Sequence, residues 1–122
     1  MMDAAHNPHG INALCKTVST VFKDVPLTVV LGMLRDKDVD TCVEMLAPLC
    51  SRVICCTPNN PRALSAAEIA PKVAAYGVET AVCDVPEEAV KMALQGGGAC
   101  LICGSFYLCG PLRPYVLEML QK

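Results

Sequence analysis

Apolar residues along the chain alternate between a helical and a strand-like spacing. Between positions 9 and 23 they recur every three or four residues, which predicts a helix with one buried face that starts after the Asn7-Pro8 turn. The β-branched run Leu27–Leu31 follows Pro26 and ends at Gly32, as is typical of a buried parallel strand. The first part of the chain is therefore predicted to form a helix and then a strand.

The same alternation continues to the end of the chain. Further strands are predicted at 52–57, 79–83 and 99–103, and further helices at 65–75 and 86–95. Another helix is predicted after Gly32, with Val39, Cys42, Val43 and Leu46 on one side, and a terminal helix carries Leu112, Tyr115, Val116, Met119 and Leu120. Ser65 and Glu68 have the spacing of a capping box, and Gly77 is placed to end the helix that they begin. Short connections between strands and helices predict an α/β fold, a three-layer Rossmann-like sandwich with a mostly parallel sheet and helices on both faces. A length of 122 residues fits a single domain, 1–122.

Composition argues against two classes of partner. Ten basic and twelve acidic residues give a net charge of -2 without a basic stripe, so nucleic acid is not an expected partner. The apolar stretch 99–112 is interrupted by Gly104, Gly110 and Pro111 and is shorter than the roughly 20 residues that a bilayer requires. We therefore expect no membrane span.

The nine cysteines lie mostly in apolar runs, where they act as small hydrophobic residues. Cys100 and Cys103 have the CxxC spacing, but on a strand their thiols point to opposite faces. No second CxxC or nearby histidine completes a tetrahedral zinc set, so we predict no metal site in this chain. An odd number of buried thiols favours a reducing, cytoplasmic setting.

Four polar or glycine-rich segments follow predicted strands, at 3–8, 32–38, 57–62 and 104–110. Ligands collect at the carboxyl ends of the strands in parallel sheets, so these segments are the candidate functional loops. The chain has neither a phosphate loop with its Lys-Ser/Thr pair nor a G-x-G-x-x-G motif. If ATP is used, another domain must hold its phosphates.

Single residues in these segments allow both a functional and a structural interpretation. His6 can contact a phosphate or transfer a proton, or it can fix its own loop. Asp3 can bind a ribose or a metal-bound water, or form an ordinary turn. Arg62 follows a rigid Asn-Asn-Pro turn and can grip a carboxylate through two parallel hydrogen bonds, or lie in solvent. Asp38 is expected to cap the next helix, and Ser105 lacks the G-x-S-x-G elbow of a nucleophile.

Taken in order, four motifs carry a resemblance. They are Asp-Ala-Ala-His-Asn-Pro at 3–8, Gly-Met-Leu-Arg-Asp-Lys-Asp at 32–38, Thr-Pro-Asn-Asn-Pro-Arg-Ala-Leu at 57–64 and Gly-Ser-Phe-Tyr-Leu-Cys-Gly at 104–110. Together they resemble the C-terminal domain of folylpolyglutamate synthase/dihydrofolate synthase, a member of the Mur ligase superfamily. The similarity covers essentially the whole chain.

The resemblance implies an ATP-dependent amide ligase that adds L-glutamate to a folate or dihydropteroate carboxylate through an acyl phosphate. It also implies ATP and Mg²⁺ as cofactors, bound mainly by an N-terminal ATPase domain of the same enzyme, which is the implied partner of this domain. On this interpretation the isolated domain is inactive.

Carried over by position, Asp3 and His6 resemble the family's nucleotide-facing pair, with His6 as a catalytic residue. We call residues 3–8 the corner. Within it, Ala4 replaces the glycine that is usual in the family.

The remaining correspondences concern glutamate. Arg62, with Asn60 in the same motif, resembles the arginine by which related Mur ligases hold the carboxylate of the amino acid they add. Those relatives have Asp-Asn-Pro-Arg where this chain has Asn-Asn-Pro-Arg at 59–62. Ser105 and Tyr107 match the family's Gly-Ser-x-Tyr-Leu segment and are secondary candidates for glutamate contact.

Two other classes stay open. The chain can be a freestanding Rossmann-like module that binds a nucleotide or another protein, and a phosphate loop upstream in the parent reading frame discriminates against this. A flavodoxin-like or receiver domain needs a phosphate-binding loop or an acidic pocket, which Asp36 and Asp38 alone do not form. Because a corner such as 3–8 normally ends a buried strand but follows only Met1 and Met2 here, we expect the chain to be cut from a longer one.

Overall fold

Strands and helices alternate through the computed structural model, which describes residues 2–3, 7–35, 38–96, 98–104 and 106–120. The strands are β1 (Met2–Asp3), β2 (Leu27–Leu31), β3 (Arg52–Cys55), β4 (Glu79–Val82) and β5 (Ala99–Cys103). The helices are α1 (Pro8–Val21), α2 (Val39–Leu46), α3 (Ala66–Ala74), α4 (Pro86–Gln95) and α5 (Phe106–Leu120), with a short 3₁₀ turn, Ala47–Leu49, after α2. Across these ranges no helix is both long and apolar enough to cross a membrane.

The five strands form one sheet in the order β1-β5-β2-β3-β4, and all of its strand pairs are parallel. The short β1 pairs with the end of β5, through Met2 with Ile102 and Asp3 with Cys103. β2 lies centrally and is buried along its whole length, as its β-branched sequence predicts. The prediction of a mostly parallel sheet is confirmed.

Helices cover both faces of the sheet. On one face α1, α2 and α3 pack on strand residues such as Val29 and Leu31. On the other, α4 and α5 pack on Val30 and its neighbours. Successive residues of a strand thus pack against helices on opposite faces of the sheet, which confirms the three-layer sandwich. Cys103 lies in the first layer and Cys100 packs against the second, so the two thiols of the CxxC sequence face opposite sides as predicted.

Side chains cap three helices at the positions that the sequence indicates. The Asn7 side chain accepts a hydrogen bond from the Gly10 amide at 2.8 Å, and the Asp38 carboxylate accepts one from the Thr41 amide at 3.4 Å. Ser65 and Glu68 form both hydrogen bonds of a capping box at the start of α3. These bonds satisfy amide groups that have no partner within the helix.

The start of α5 differs from the sequence prediction. Residues 104–110 were predicted as a loop after the last strand, yet α5 begins at Phe106 and runs through Gly110 and Pro111, which usually interrupt helices. Leu108 and Leu112 are each 1% exposed and pack into the layer formed with α4. Burial of these side chains outweighs the unfavourable local propensity, so the loop prediction was wrong over most of its length.

Candidate functional site

The ends of all five strands lie in one row across the sheet. Asp3 pairs with Cys103, Cys103 with Leu31, Leu31 with Cys55, and Cys55 with Val82. Because every strand is parallel, the segments after them leave from the same edge. This confirms that the candidate loops share one edge of the sheet, which we call the carboxyl edge.

The segment after β2 is joined to the segment before α3. Leu34 and Ala63 form an isolated antiparallel bridge. The Arg35 amide donates to the Arg62 carbonyl oxygen at 2.7 Å, and the Leu64 amide donates to the Met33 carbonyl oxygen at 2.9 Å. These two backbone bonds fix the position of Arg62 relative to the central strand, although the Arg62 side chain is exposed.

A tight turn ahead of Arg62 is stabilised by Asn60. The Asn60 side-chain oxygen accepts a hydrogen bond from the Arg62 amide at 2.8 Å, and its carbonyl oxygen accepts one from the Ala63 amide at 2.9 Å. Asparagine favours such turns because its side chain can replace a backbone acceptor. The structure thus gives the Asn60 oxygen a local partner, and contact between Asn60 and glutamate stays a prediction.

Thr57 joins the base of the same loop to two other elements. Its hydroxyl donates to Asp84 Oδ1 at 3.0 Å and accepts from the Ala66 amide, also at 3.0 Å. The Thr57 amide donates to the Asp84 carbonyl oxygen at 3.1 Å. Thr57 was known from the sequence only as the first residue of the 57–64 motif and Asp84 had no predicted role, because their association depends on the pairing of β3 with β4.

Arg35 and Glu68 form an ion pair beside the loop, with Arg35 Nη2 3.0 Å from Glu68 Oε2. Glu68 Oε2 also accepts from the Ser65 amide at 3.1 Å, as the capping box predicts. These hydrogen bonds and charges lower the pKa of Glu68, the bond from the Ser65 backbone most strongly and Arg35 next among the stabilising contacts. The capping sequence indicated the role of Glu68 in α3, but nothing in it indicated the pairing with Arg35.

Two glycines allow the segments after β2, β3 and β5 to approach closely. Gly104 has a φ of +111°, and a Cβ atom there would lie 2.5 Å from the Gly32 carbonyl oxygen. A Cβ atom on Gly32 would lie 3.0 Å from a side-chain carbon of Pro58. The structure therefore needs glycine at position 104 for both its φ and its close contact.

Several predicted site residues are described only partly. His6 and Ser105 lie outside the described residues, and for Asp3 and Tyr107 only the backbone is described. Asp3 ends β1, three strands away from β3 in the sheet, which corresponds to roughly 14 Å at the usual strand spacing. The corner at 3–8 and the Arg62 turn thus start from the same edge, and the approach of His6 to Arg62 stays a prediction.

The described residues contain no group of three or more His, Cys, Asp or Glu side chains that could hold a metal ion. Burial raises the pKa of Cys55 and of Cys56 to about 12. A thiol with so high a pKa stays protonated near neutral pH and is a poor nucleophile. These two cysteines therefore serve packing rather than chemistry.

Comparison with known proteins matches most of the chain to one family model. The sequence model of the family described as "Mur ligase, glutamate ligase domain" matches residues 1–106. The dihydrofolate synthase/folylpolyglutamate synthase of Mycobacterium tuberculosis is 41% identical over 69 residues, which is 57% of this chain and 14% of that protein. The folylpolyglutamate synthase of Lacticaseibacillus casei is 40% identical over 65 residues, 52% of this chain and 15% of that protein.

Solved structures show the same similarity. The Mycobacterium tuberculosis folylpolyglutamate synthase complexed with ADP and AMPPCP superimposes with a TM-score of 0.86 at 29% identity, over 93% of this chain and 28% of that one. A bifunctional folylpolyglutamate synthase/dihydrofolate synthase with Mn, AMPPNP and L-glutamate bound gives a TM-score of 0.80 at 28% identity, over 98% of this chain and 28% of that one. The chain thus spans less than a third of the length of each of these relatives.

Proposed function

The chain belongs to the Mur ligase glutamate ligase domain family, and from this premise we propose that it is the C-terminal, glutamate-binding domain of an ATP-dependent amide ligase. The substrate that receives glutamate is a folate or dihydropteroate. The substrate carboxylate takes the γ-phosphoryl group of ATP, giving an acyl phosphate and ADP. The glutamate amine then attacks the acyl carbon, the C–N bond forms, the C–O bond to phosphate breaks, and the amine loses a proton.

The observation that carries the proposal is the way in which Arg62 is held at the carboxyl edge. Its amide is bonded to Asn60 and its carbonyl oxygen to Arg35, so the backbone that bears the guanidinium is fixed on both sides. A guanidinium binds a carboxylate through two parallel hydrogen bonds, and pre-organisation of its backbone lowers the entropy lost on binding. We assign to Arg62 the binding of a glutamate carboxylate. The relative that was solved with L-glutamate bound supports this choice of ligand.

The corner at 3–8 supplies the nucleotide side of the proposal. Asp3 and His6 are assigned to the nucleotide, and to His6 we assign the holding or transfer of a proton. Ser105 and Tyr107, after β5, are assigned secondary contacts to glutamate. These assignments rest on the positions of the motifs, and β5 lies between β1 and β2 in the sheet. Relatives solved with ADP and AMPPCP support a nucleotide ligand for the complete enzyme.

The phosphates of ATP are assigned to an N-terminal ATPase domain of the same enzyme. This chain has no phosphate loop, and its described residues do not present a metal-binding group. When bound, Mg²⁺ neutralises charge on the phosphates during transfer. The residues of this chain bind glutamate and help to exclude water from the cleft between the domains, which leaves the isolated chain inactive. We place the complete enzyme in the cytoplasm, where it meets ATP and reduced folates.

The test is a glutamate-dependent ADP-release assay on the full-length protein, with dihydropteroate and tetrahydrofolate compared as acceptors. The proposal expects ADP release that requires both glutamate and at least one of the two acceptors, with a product heavier by one glutamyl residue in mass spectrometry. ADP release that does not depend on glutamate, or a product without added glutamate, contradicts it. A parent reading frame without a phosphate loop in about 300 upstream residues favours the freestanding module instead.

A further inference from the structure

The loop that carries Arg62 has an exposed tip and is closed at its base. It runs through residues 58–65 between Thr57 and the first residue of α3, and Asn59, Pro61 and Arg62 are exposed. Backbone bonds at Arg62 and Leu64 attach the second half of the loop to the segment after β2, whereas the start of the loop depends on contacts at its base. A loop of this length samples many conformations unless contacts at its ends restrict them.

The Thr57 hydroxyl makes the contact that joins the two ends. A hydroxyl has one proton to donate and two lone pairs that can accept. Thr57 donates to Asp84 Oδ1 and accepts from the Ala66 amide, which lies at the other end of the loop. The amide groups of the first helical turn have no acceptor within the helix, so Thr57 satisfies a donor that the Ser65 side chain, which is bonded to Glu68, does not reach.

Asp84 fixes Thr57 in turn. Its carbonyl oxygen accepts from the Thr57 amide and its carboxylate accepts from the Thr57 hydroxyl. A hydrogen bond from a hydroxyl to a carboxylate is stronger than one between neutral groups. The hydroxyl therefore has one orientation, with its proton toward Asp84 and a lone pair toward Ala66.

We infer that Thr57 is a positioning residue for glutamate binding: its hydroxyl, held by Asp84, closes the base of the loop and, together with the backbone bonds to the segment after β2, sets where Arg62 meets the substrate carboxylate. This inference rests on the proposed function of Arg62. Thr57 itself does not contact substrate. Removal of its hydroxyl should weaken glutamate binding and leave the chemical step nearly unchanged, because the reacting atoms do not depend on it.

Thr57→Val removes the hydroxyl at constant shape, and Thr57→Ser keeps it. Thr80→Val is the matched control, because Thr80 on β4 also uses its hydroxyl for a backbone bond, but to Val78, which lies outside the loop. In the 122-residue chain, amide hydrogen exchange at Ala66 should be roughly fivefold to tenfold faster in Thr57→Val, the loss expected for one hydrogen bond. Thr57→Ser and Thr80→Val should leave that exchange rate nearly unchanged.

In the full-length enzyme, Thr57→Val should raise the glutamate KM about tenfold with kcat and the ATP KM within about twofold of the original. Thr57→Ser should restore the glutamate KM. Unchanged exchange at Ala66, or an equal increase in Thr80→Val, overturns the inference, as does a loss in kcat without a change in KM. If Arg62→Ala leaves the glutamate KM unchanged, the role of Arg62 fails, while the exchange measurement still decides whether Thr57 closes the loop.

Discussion

The Arg35 amide donates a hydrogen bond to the Arg62 carbonyl oxygen at 2.7 Å, which joins the loop after β2 to the loop before α3. This bond and the Asn60 turn hold Arg62 at the edge where the strands end. Arg35 in turn pairs with Glu68 at the first turn of α3. The arginine assigned to the substrate therefore belongs to a bonded network that includes three separate segments.

Arg62→Ala in the full-length enzyme should raise the glutamate KM roughly 10- to 100-fold, the range expected for the loss of hydrogen bonds to a charged group. Arg62→Lys should recover only part of this, because an ammonium group cannot form the two parallel bonds of a guanidinium. The ATP KM should stay within about twofold. Steady-state kinetics with glutamate as the varied substrate make the comparison, and an unchanged glutamate KM in Arg62→Ala removes the assignment.

Gly104→Ala should destabilise the chain by about 3 kcal/mol or more, because the added Cβ combines an unfavourable φ with a contact to the Gly32 carbonyl oxygen. Gly77→Ala is the control. Gly77 has a φ of +78°, but a Cβ atom there has no neighbour within 4 Å, so only the backbone cost of about 1 kcal/mol is expected. Urea denaturation of both variants measures the difference. If both variants lose the same free energy of unfolding, the contact between the added Cβ and the Gly32 carbonyl oxygen does not contribute as predicted.

Glu68 should make stability depend on pH in the acid range. Its pKa is lowered in the fold, so its contribution is present above the usual glutamate pKa and is lost as the pH falls through the folded value. Glu68→Gln keeps an acceptor but removes the charge, and its melting temperature should therefore fall less between pH 6 and pH 3 than that of the original chain. Glu44→Gln, at an exposed position on α2, is the control and should behave like the original.

Because buried thiols resist ionisation in the fold, the free energy of unfolding should fall as the pH becomes alkaline. Burial raises the pKa of Cys56 from 9.0 to about 12, so the folded chain keeps the proton while the unfolded chain releases it. The contribution of this thiol is complete below pH 9 and is lost as the pH rises toward 12, by up to about 1.4 kcal/mol per pH unit. Urea denaturation at pH 8 and pH 10.5 should show a smaller loss in Cys56→Ala than in the original chain. An identical loss in both contradicts the prediction.

Local sequence signals predicted most of the elements. The bounds of β2, α4 and β5 agree with the prediction, and the capping box at Ser65 forms both of its bonds. These features depend on residues that are close together along the chain, so their spacing in a single sequence is enough to predict them. The start of α5 was missed because it depends on burial of Leu108 and Leu112 against another layer, which outweighs the presence of Gly110 and Pro111.

By itself the sequence determined the alternation of strands and helices, the three layers and the edge at which the candidate loops gather, because the spacing of apolar residues fixes which faces are buried. Only the tertiary structure decided that Arg35 holds the backbone of Arg62 and that Thr57 meets both Asp84 and Ala66. Those contacts join residues far apart in the chain. Their partners are selected by strand order and register, which arise when the whole sheet assembles and which no local pattern specifies.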